Sequence, residues 1–269
     1  MAPVAGVSLE LARERQRTLT DVRYALHLEI PGARTEPVTG HVVVTVRRAP
    51  DAGPLVFDFA GDLSRAPRVF ANGRAVDATV ANGHLVVPEA ALVEGANEVR
   101  VEFTAADGPL NRGDDFLYSL FVPARAHRAF PCFDQPDLKA RVTLTLGVPE
   151  GWTAVANGME AGHEPRGARR LVRFAETPPL STYLLAFAAG RLQVETAERD
   201  GRTFRMFHRE TDAKQVARNR DAVFDLHAHA LAWLEHYTGI PYPWGKFDFF
   251  LVPAFQFGGM EHPGAIFYN

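Results

Sequence analysis

From about residue 20 to about residue 200, apolar side chains recur at every second position. Val22, Tyr24, Leu26, Leu28 and Ile30 alternate with Arg23, Ala25, His27 and Glu29, the pattern of a strand with one face buried. Val42, Val44 and Val46 repeat it, as do Leu55, Phe57 and Phe59, then Val99, Val101 and Phe103, then Val142, Leu144, Leu146 and Val148. Asn72-Gly73, Asn82-Gly83 and Asn157-Gly158 separate strand-like runs, and that dipeptide suits the two positive φ angles of a type I′ hairpin turn. Short strands joined in this way predict a mainly β fold, an antiparallel domain over residues 18–200 preceded by an N-terminal extension over 1–17.

Past residue 200 the period changes. Thr203 to His208 reads as a short strand, and Thr211 or Asp212 can cap a helix running from Ala213 to Tyr237. Val216, Val223, Phe224, Leu231 and Leu234 form its apolar stripe. Gly239 and Pro241 close it, as a glycine just past a helix end followed by proline should. Strands are expected at Lys246–Val252 and from Gly264 to Tyr268. A last strand at the very end of the sequence would lack its own neighbours. Residues 201–269 are therefore read as the α+β opening of a second domain that is incomplete here.

Composition narrows the function classes. The sequence has 269 residues, 46% hydrophobic and 23% charged, values of a globular chain with length enough for a sizeable core. Its net charge is −3 and no basic cluster stands out, which disfavours nucleic acid or an anionic membrane as the main partner. Cys132 is the single cysteine, so no intrachain disulfide can form. Set in a Pro-Cys-Phe run, it reads as a packed small hydrophobe rather than a nucleophile. Residues 1–17 carry Glu10, Arg13, Glu14, Arg15 and Arg17 instead of an apolar signal-peptide core. With no apolar run long enough to span a bilayer, a cytoplasmic location is expected.

Candidate chemistry concentrates near the end. Phe257-Gly258-Gly259-Met260-Glu261-His262-Pro263-Gly264-Ala265-Ile266 places one carboxylate just past a glycine pair. Two residues without Cβ let another backbone come close. A carboxylate at the end of such a groove can hold a peptide α-ammonium, whose pKa near ~8 keeps it mostly protonated at neutral pH. A Gly-rich turn with a solvated glutamate remains the plainer reading of the same residues.

This segment resembles the Gly-Ala-Met-Glu-Asn exopeptidase motif of the M1 zinc aminopeptidases, the aminopeptidase N family. Four further blocks resemble the family in its own order: Ala129-Phe130-Pro131-Cys132-Phe133-Asp134-Gln135-Pro136-Asp137-Leu138-Lys139-Ala140-Arg141, then Trp152 to Gly158, Pro178 to Phe187, and Gly239-Ile240-Pro241-Tyr242-Pro243-Trp244. The resemblance implies a saddle-shaped β domain leading into a thermolysin-like catalytic domain. It also implies that Glu261 anchors the substrate α-amine. Gly258 and Gly259 would present backbone to a peptide with a free N-terminus, and Met260 would line its first side-chain pocket, unless Met260 is simply core. His262 stands where the family has Asn, either as a functional group that adds charge at low pH or as a structural histidine bonded to a carbonyl. Many family members carry Gln and, two residues later, Glu at the places held here by Leu120 and Val122, so the amine pocket is expected to lose a carboxylate and become more apolar. Asp134 and Asp137 read as turn and capping residues.

The family's zinc centre needs His-Glu-x-x-His on a helix, where i, i+4 spacing puts both imidazoles on one face. No such run occurs. His227 and His229 would point about 200° apart on a helix, and His229 and His236 lie two turns apart. Zinc is therefore expected of the longer parent protein, with no metal ligand and no catalytic residue in this chain, which alone is expected to be inactive. The alternatives are a non-catalytic β-rich binding or scaffold module of M1-like fold and a related hydrolase acting on a non-peptide substrate.

Overall fold

A computed structural model of the chain describes residues 4–269. Helix α1, Leu9–Thr18, is capped by Ser8, whose side chain accepts from the Leu11 amide. It falls within the expected N-terminal extension and is anchored to the β domain. Arg15 is buried and donates to both carboxylate oxygens of Asp58, at 2.7 and 2.9 Å.

The period-two segments build an eight-stranded sheet in the order Glu160–Arg166, Arg169–Phe174, Arg141–Pro149, Leu19–Glu29, Thr39–Arg48, Gly95–Thr104, Arg68–Ala71, Arg74–Val76. The alternating apolar residues of these strands, among them Leu26, Leu28, Val42, Val44, Val99, Val101, Leu144 and Leu146, share one core. Two smaller sheets pack with it. One is Leu55–Asp58, His84–Val87, Thr79–Ala81; the other is Thr153–Ala156, Phe187–Gly190, Phe116–Ser119, Leu110–Arg112. The pairing is antiparallel except between Leu19–Glu29 and Arg141–Pro149, which run parallel. A parallel pair needs a crossover connection, and the intervening chain supplies a long one.

Asn72-Gly73 and Asn82-Gly83 are tight turns with φ of 50° and 78°, and 52° and 78°, as a type I′ turn requires. Asn157-Gly158 is not one of them, since neither residue has a positive φ. The Asn157 side chain is occupied in bridging other segments, as described below. A Cβ on Gly158 would stand 2.3 Å from the Ala175 carbonyl oxygen, so this glycine serves a close backbone approach instead.

The five-stranded sheet of the second unit runs Gln193–Arg199, Arg202–His208, Phe247–Leu251, Ala265–Tyr268, Gly259–Met260. Its first two strands meet through Asp200-Gly201, with φ of 51° and 73°. The boundary read at residue 200 therefore falls inside a hairpin, and the second sheet begins at Gln193. Helix α2, Ala213–Thr238, is capped by Asp212, which accepts from the Lys214 and Gln215 amides, and ends at Gly239 with φ 68°. It seats Phe224, Ala228 and Leu231 on the sheet. Leu234 does not join that stripe and is 49% exposed, because ten residues beyond Phe224 it lies about 80° around the helix.

The run Phe247-Asp248-Phe249-Phe250-Leu251 lacks alternation because its sheet is covered on both faces. Phe249 packs towards α2 with Phe204, Met206 and Phe247. Phe250 packs towards the β domain with Phe207, Phe267, Tyr118 and Leu120. The second apolar layer thus fastens the two units together.

Candidate functional site

The site is built where the chain leaves the Phe247–Leu251 strand, turns, and returns along the edge of the sheet. Gly259 and Met260 pair with Tyr268 and Phe267, and as the outermost strand they keep one backbone edge unpaired within the sheet. Both glycines of the motif are exposed. A Cβ on Gly258 would meet nothing within 4 Å, whereas one on Gly259 would sit 3.0 Å from the Tyr268 ring. An extended peptide could add to this edge without meeting a side chain at either position.

Met260 points the other way. It is buried in one apolar cluster with Leu120, Tyr118, Phe255 and Phe267, and half-buried Val122 packs against the same cluster. Met260, Leu120 and Val122, some 140 residues apart in the sequence, are thus brought together at the junction of the two units. Leu120 is fully buried and its amide donates to the Pro109 carbonyl at 2.9 Å.

Glu261 follows immediately and is exposed. Its carboxylate has no hydrogen-bond or ion-pair partner among the described residues. His262 differs from both sequence expectations. It is 0% exposed, and neither ring nitrogen has a partner, so it is not bonded to a carbonyl. It lies against the Phe267 ring, centroids 4.8 Å apart. Burial pushes its pKa down to about 3, and it adds no positive charge beside Glu261 near neutral pH.

What fixes the loop is a set of polar groups beneath it. Asn157 donates to the Pro263 carbonyl at 2.9 Å and to the Leu184 carbonyl at 3.0 Å, while its own carbonyl accepts from the Ala186 amide at 2.6 Å. Lys246 Nζ donates to the Gly264 and Ala156 carbonyls, both at 2.6 Å, and to Asp248 at 2.5 Å. Tyr242 Oη accepts from the Gly264 amide at 3.0 Å. Asp248 is buried and also takes a bidentate pair from Arg205 at 2.8 and 2.6 Å. Burial lowers the Lys246 pKa to about 8 against the opposing pull of Asp248. Gly264 has φ 73°, and a Cβ there would stand 2.5 Å from the Asn157 carbonyl oxygen.

Sequence reasoning singled out none of Asn157, Lys246, Asp248 or Arg205 for this role. Asn157 carried a turn signal, and a lysine two residues before an aspartate on a strand looks like ordinary surface charge. Only the odd aspartate inside an aromatic run could have drawn attention to the network.

Two stretches of the chain match known families: residues 110–184 the Peptidase M1 N-terminal domain, and residues 222–269 the Peptidase family M1 domain. The chain belongs to the M1 peptidase family. Aminopeptidase N of Streptomyces lividans is 30% identical over 98% of this chain and 32% of its own length. Aminopeptidase M1-A of Oryza sativa subsp. japonica is 35% identical over 55% of this chain and 17% of its own. The puromycin-sensitive aminopeptidase of Caenorhabditis elegans is 34% identical over 59% and 17%. The chain therefore spans about a third or less of these relatives.

M1 family aminopeptidases are in general zinc enzymes. Among the described residues no three His, Cys, Asp or Glu side chains converge as ligands. His227 is committed to the Val223 carbonyl and stacks on Phe249. His229 and His236 are exposed on α2. Asp134, in the Pro-Cys-Phe block, accepts from the His127 amide, from His127 Nδ1 and from the Thr182 hydroxyl, the bonds of a turn anchor. Cys132 is fully buried, and burial raises its thiol pKa well above the ordinary value, which leaves it inert.

Proposed function

We propose that this chain is the N-terminal portion of a zinc metalloaminopeptidase and that Glu261 holds the α-ammonium of its peptide substrate. The observation that carries this reading is the combination at the motif: an exposed carboxylate without a partner, at the end of a glycine edge strand, on a loop held by Asn157, Lys246 and Tyr242. Such a carboxylate is preorganised at no cost in broken ion pairs, and a peptide added to the Gly258–Gly259 edge would bring its terminus to it. Buried Met260 and Leu120 and half-buried Val122 line an apolar wall, so the first side chain bound is expected to be apolar. The zinc ligands belong, in this reading, to the longer protein, and among the described residues no three donors converge. This chain by itself is then without peptidase activity.

The test uses the longer protein containing this segment. It should release N-terminal residues from aminoacyl substrates and leave N-acetylated ones intact. Glu261→Ala should cost roughly 2–5 kcal/mol in transition-state stabilisation, the range for removing one partner of a charge pair that the bound peptide covers from water. Equal cleavage of free and blocked peptides, or an indifferent Glu261→Ala variant, sinks the assignment.

A further inference from the structure

Away from the motif loop, the polar face of the eight-stranded sheet carries a cavity of about 560 Å³. A row of titratable side chains crosses its floor. His27 stands directly opposite His41, His41 opposite Glu102, and Glu102 opposite Arg68, on four adjacent strands. At the usual strand spacing of 4.7–4.9 Å this row is ~14 Å long. Arg100 lies on the same face, and Arg65 and Arg166 stand at the rims. Four arginines thus meet two carboxylates, in a chain whose overall charge is −3.

Both carboxylates are already neutralised. Glu102 accepts from Arg68 at 2.9 Å and Arg100 at 3.3 Å. Glu29 accepts from Arg169 at 2.9 Å, meets His27 Nε2 at 2.8 Å and has Arg166 at 3.7 Å, which leaves Arg65 as the cavity arginine outside these pairs. The His27 and His41 rings are stacked face to face, centroids 4.9 Å apart and 9° from parallel, so their nitrogens do not converge as a metal pair would, and the surrounding arginines oppose a cation. His41 has its pKa lowered to about 4, by burial first and then by Arg100 and His27, against the opposing charges of Glu102 and Glu29. His41 therefore adds no charge to the cavity, and its positive charge is that of the arginines lining it.

We propose that this cavity is a binding site for an extended oxyanion chain of the polyphosphate type. Guanidinium groups match phosphate oxygens in pairs, and the four arginines lining the cavity are more than one phosphate group engages in that way. An acidic peptide suits the place less well. The four floor strands are all interior to the sheet, so none offers a backbone edge for a peptide to join.

Titration calorimetry on the chain, with tripolyphosphate, orthophosphate and hexaglutamate at low salt, tests the assignment. Tripolyphosphate should bind saturably and at least tenfold more tightly than either of the other two. The double variant Arg65→Gln/Arg166→Gln should weaken it at least tenfold, while Arg218→Gln, on exposed α2, should leave it unchanged. Both rim arginines are exposed, so the variants are expected to fold, which the thermal transition verifies. Absence of saturable binding, equal affinity of the rim variant, or hexaglutamate binding as tightly as tripolyphosphate would each overturn the proposal.

Discussion

Lys246 Nζ donates to the carbonyl of Gly264 at 2.6 Å and, from the same atom, to the carbonyl of Ala156 at 2.6 Å. One ammonium thereby joins the motif loop to a strand of the β domain that lies 90 residues before the lysine itself. Asp248 balances its charge and is itself held by Arg205.

Replacing this lysine should be costly. Lys246→Met removes a buried cation from Asp248 and leaves two buried carbonyls without their donor, for an expected loss of about 3–5 kcal/mol. Urea denaturation of the variant measures it. A loss below about 1 kcal/mol would mean that the clamp does not hold the loop.

Two neighbouring glycines should respond in opposite ways to a single methyl group. Gly264→Ala forces a side chain into positive φ and against the Asn157 carbonyl oxygen, and strained positions of this kind cost of order 1–3 kcal/mol. Gly258→Ala meets open space and should stay within about 0.5 kcal/mol of the parent. Comparable losses at both sites would argue against the loop geometry.

His262 gives a pH signature with a definite sign. Its native pKa, about 3, lies below its ordinary value of 6.5. The unfolded chain therefore takes up a proton that the native chain refuses. Stability from this residue is complete above about pH 6.5 and is lost as pH falls towards 3. His262→Leu should flatten that limb of the stability curve. Because both ring nitrogens are unpartnered, the variant should at neutral pH be no less stable, and up to about 1–3 kcal/mol more stable. An unchanged acid limb would show that the imidazole is solvated.

Glu261→Gln should leave the stability of this chain within about 0.5 kcal/mol, since the carboxylate is exposed and has no partner among the described residues. Thermal unfolding reads this directly. A marked change in either direction would give Glu261 a structural role and weaken its reading as an amine anchor.

Much of the architecture was legible because burial on one face writes itself into alternate positions. Val42, Val44, Val99 and Val101 announce the large sheet, and Asp212 and Gly239 frame α2. The motif was legible as a string, and Met260, Leu120 and Val122 do meet. Three things were hidden for one physical reason, that they depend on partners far along the chain. Asn157 was read as a turn residue because its bond to Pro263 spans 106 positions. The burial of His262 depends on how the returning strand places Phe267 against it. The first strand of the second sheet, Gln193–Arg199, buries only Ala197 and shows no clear period, and its pairing with Arg202–His208 assigns it to the other unit.

The strand Phe247–Leu251 has a mechanical consequence. Phe249 is locked to α2 on one side and Phe250 to the β domain on the other, so the two units share a wall and have no separate surfaces to slide upon. Opening one from the other would expose Phe250, Phe267, Leu120 and Met260 to water together, each at about 1.5–3 kcal/mol. A hinge here is energetically closed. The apolar wall behind Met260 keeps a fixed depth.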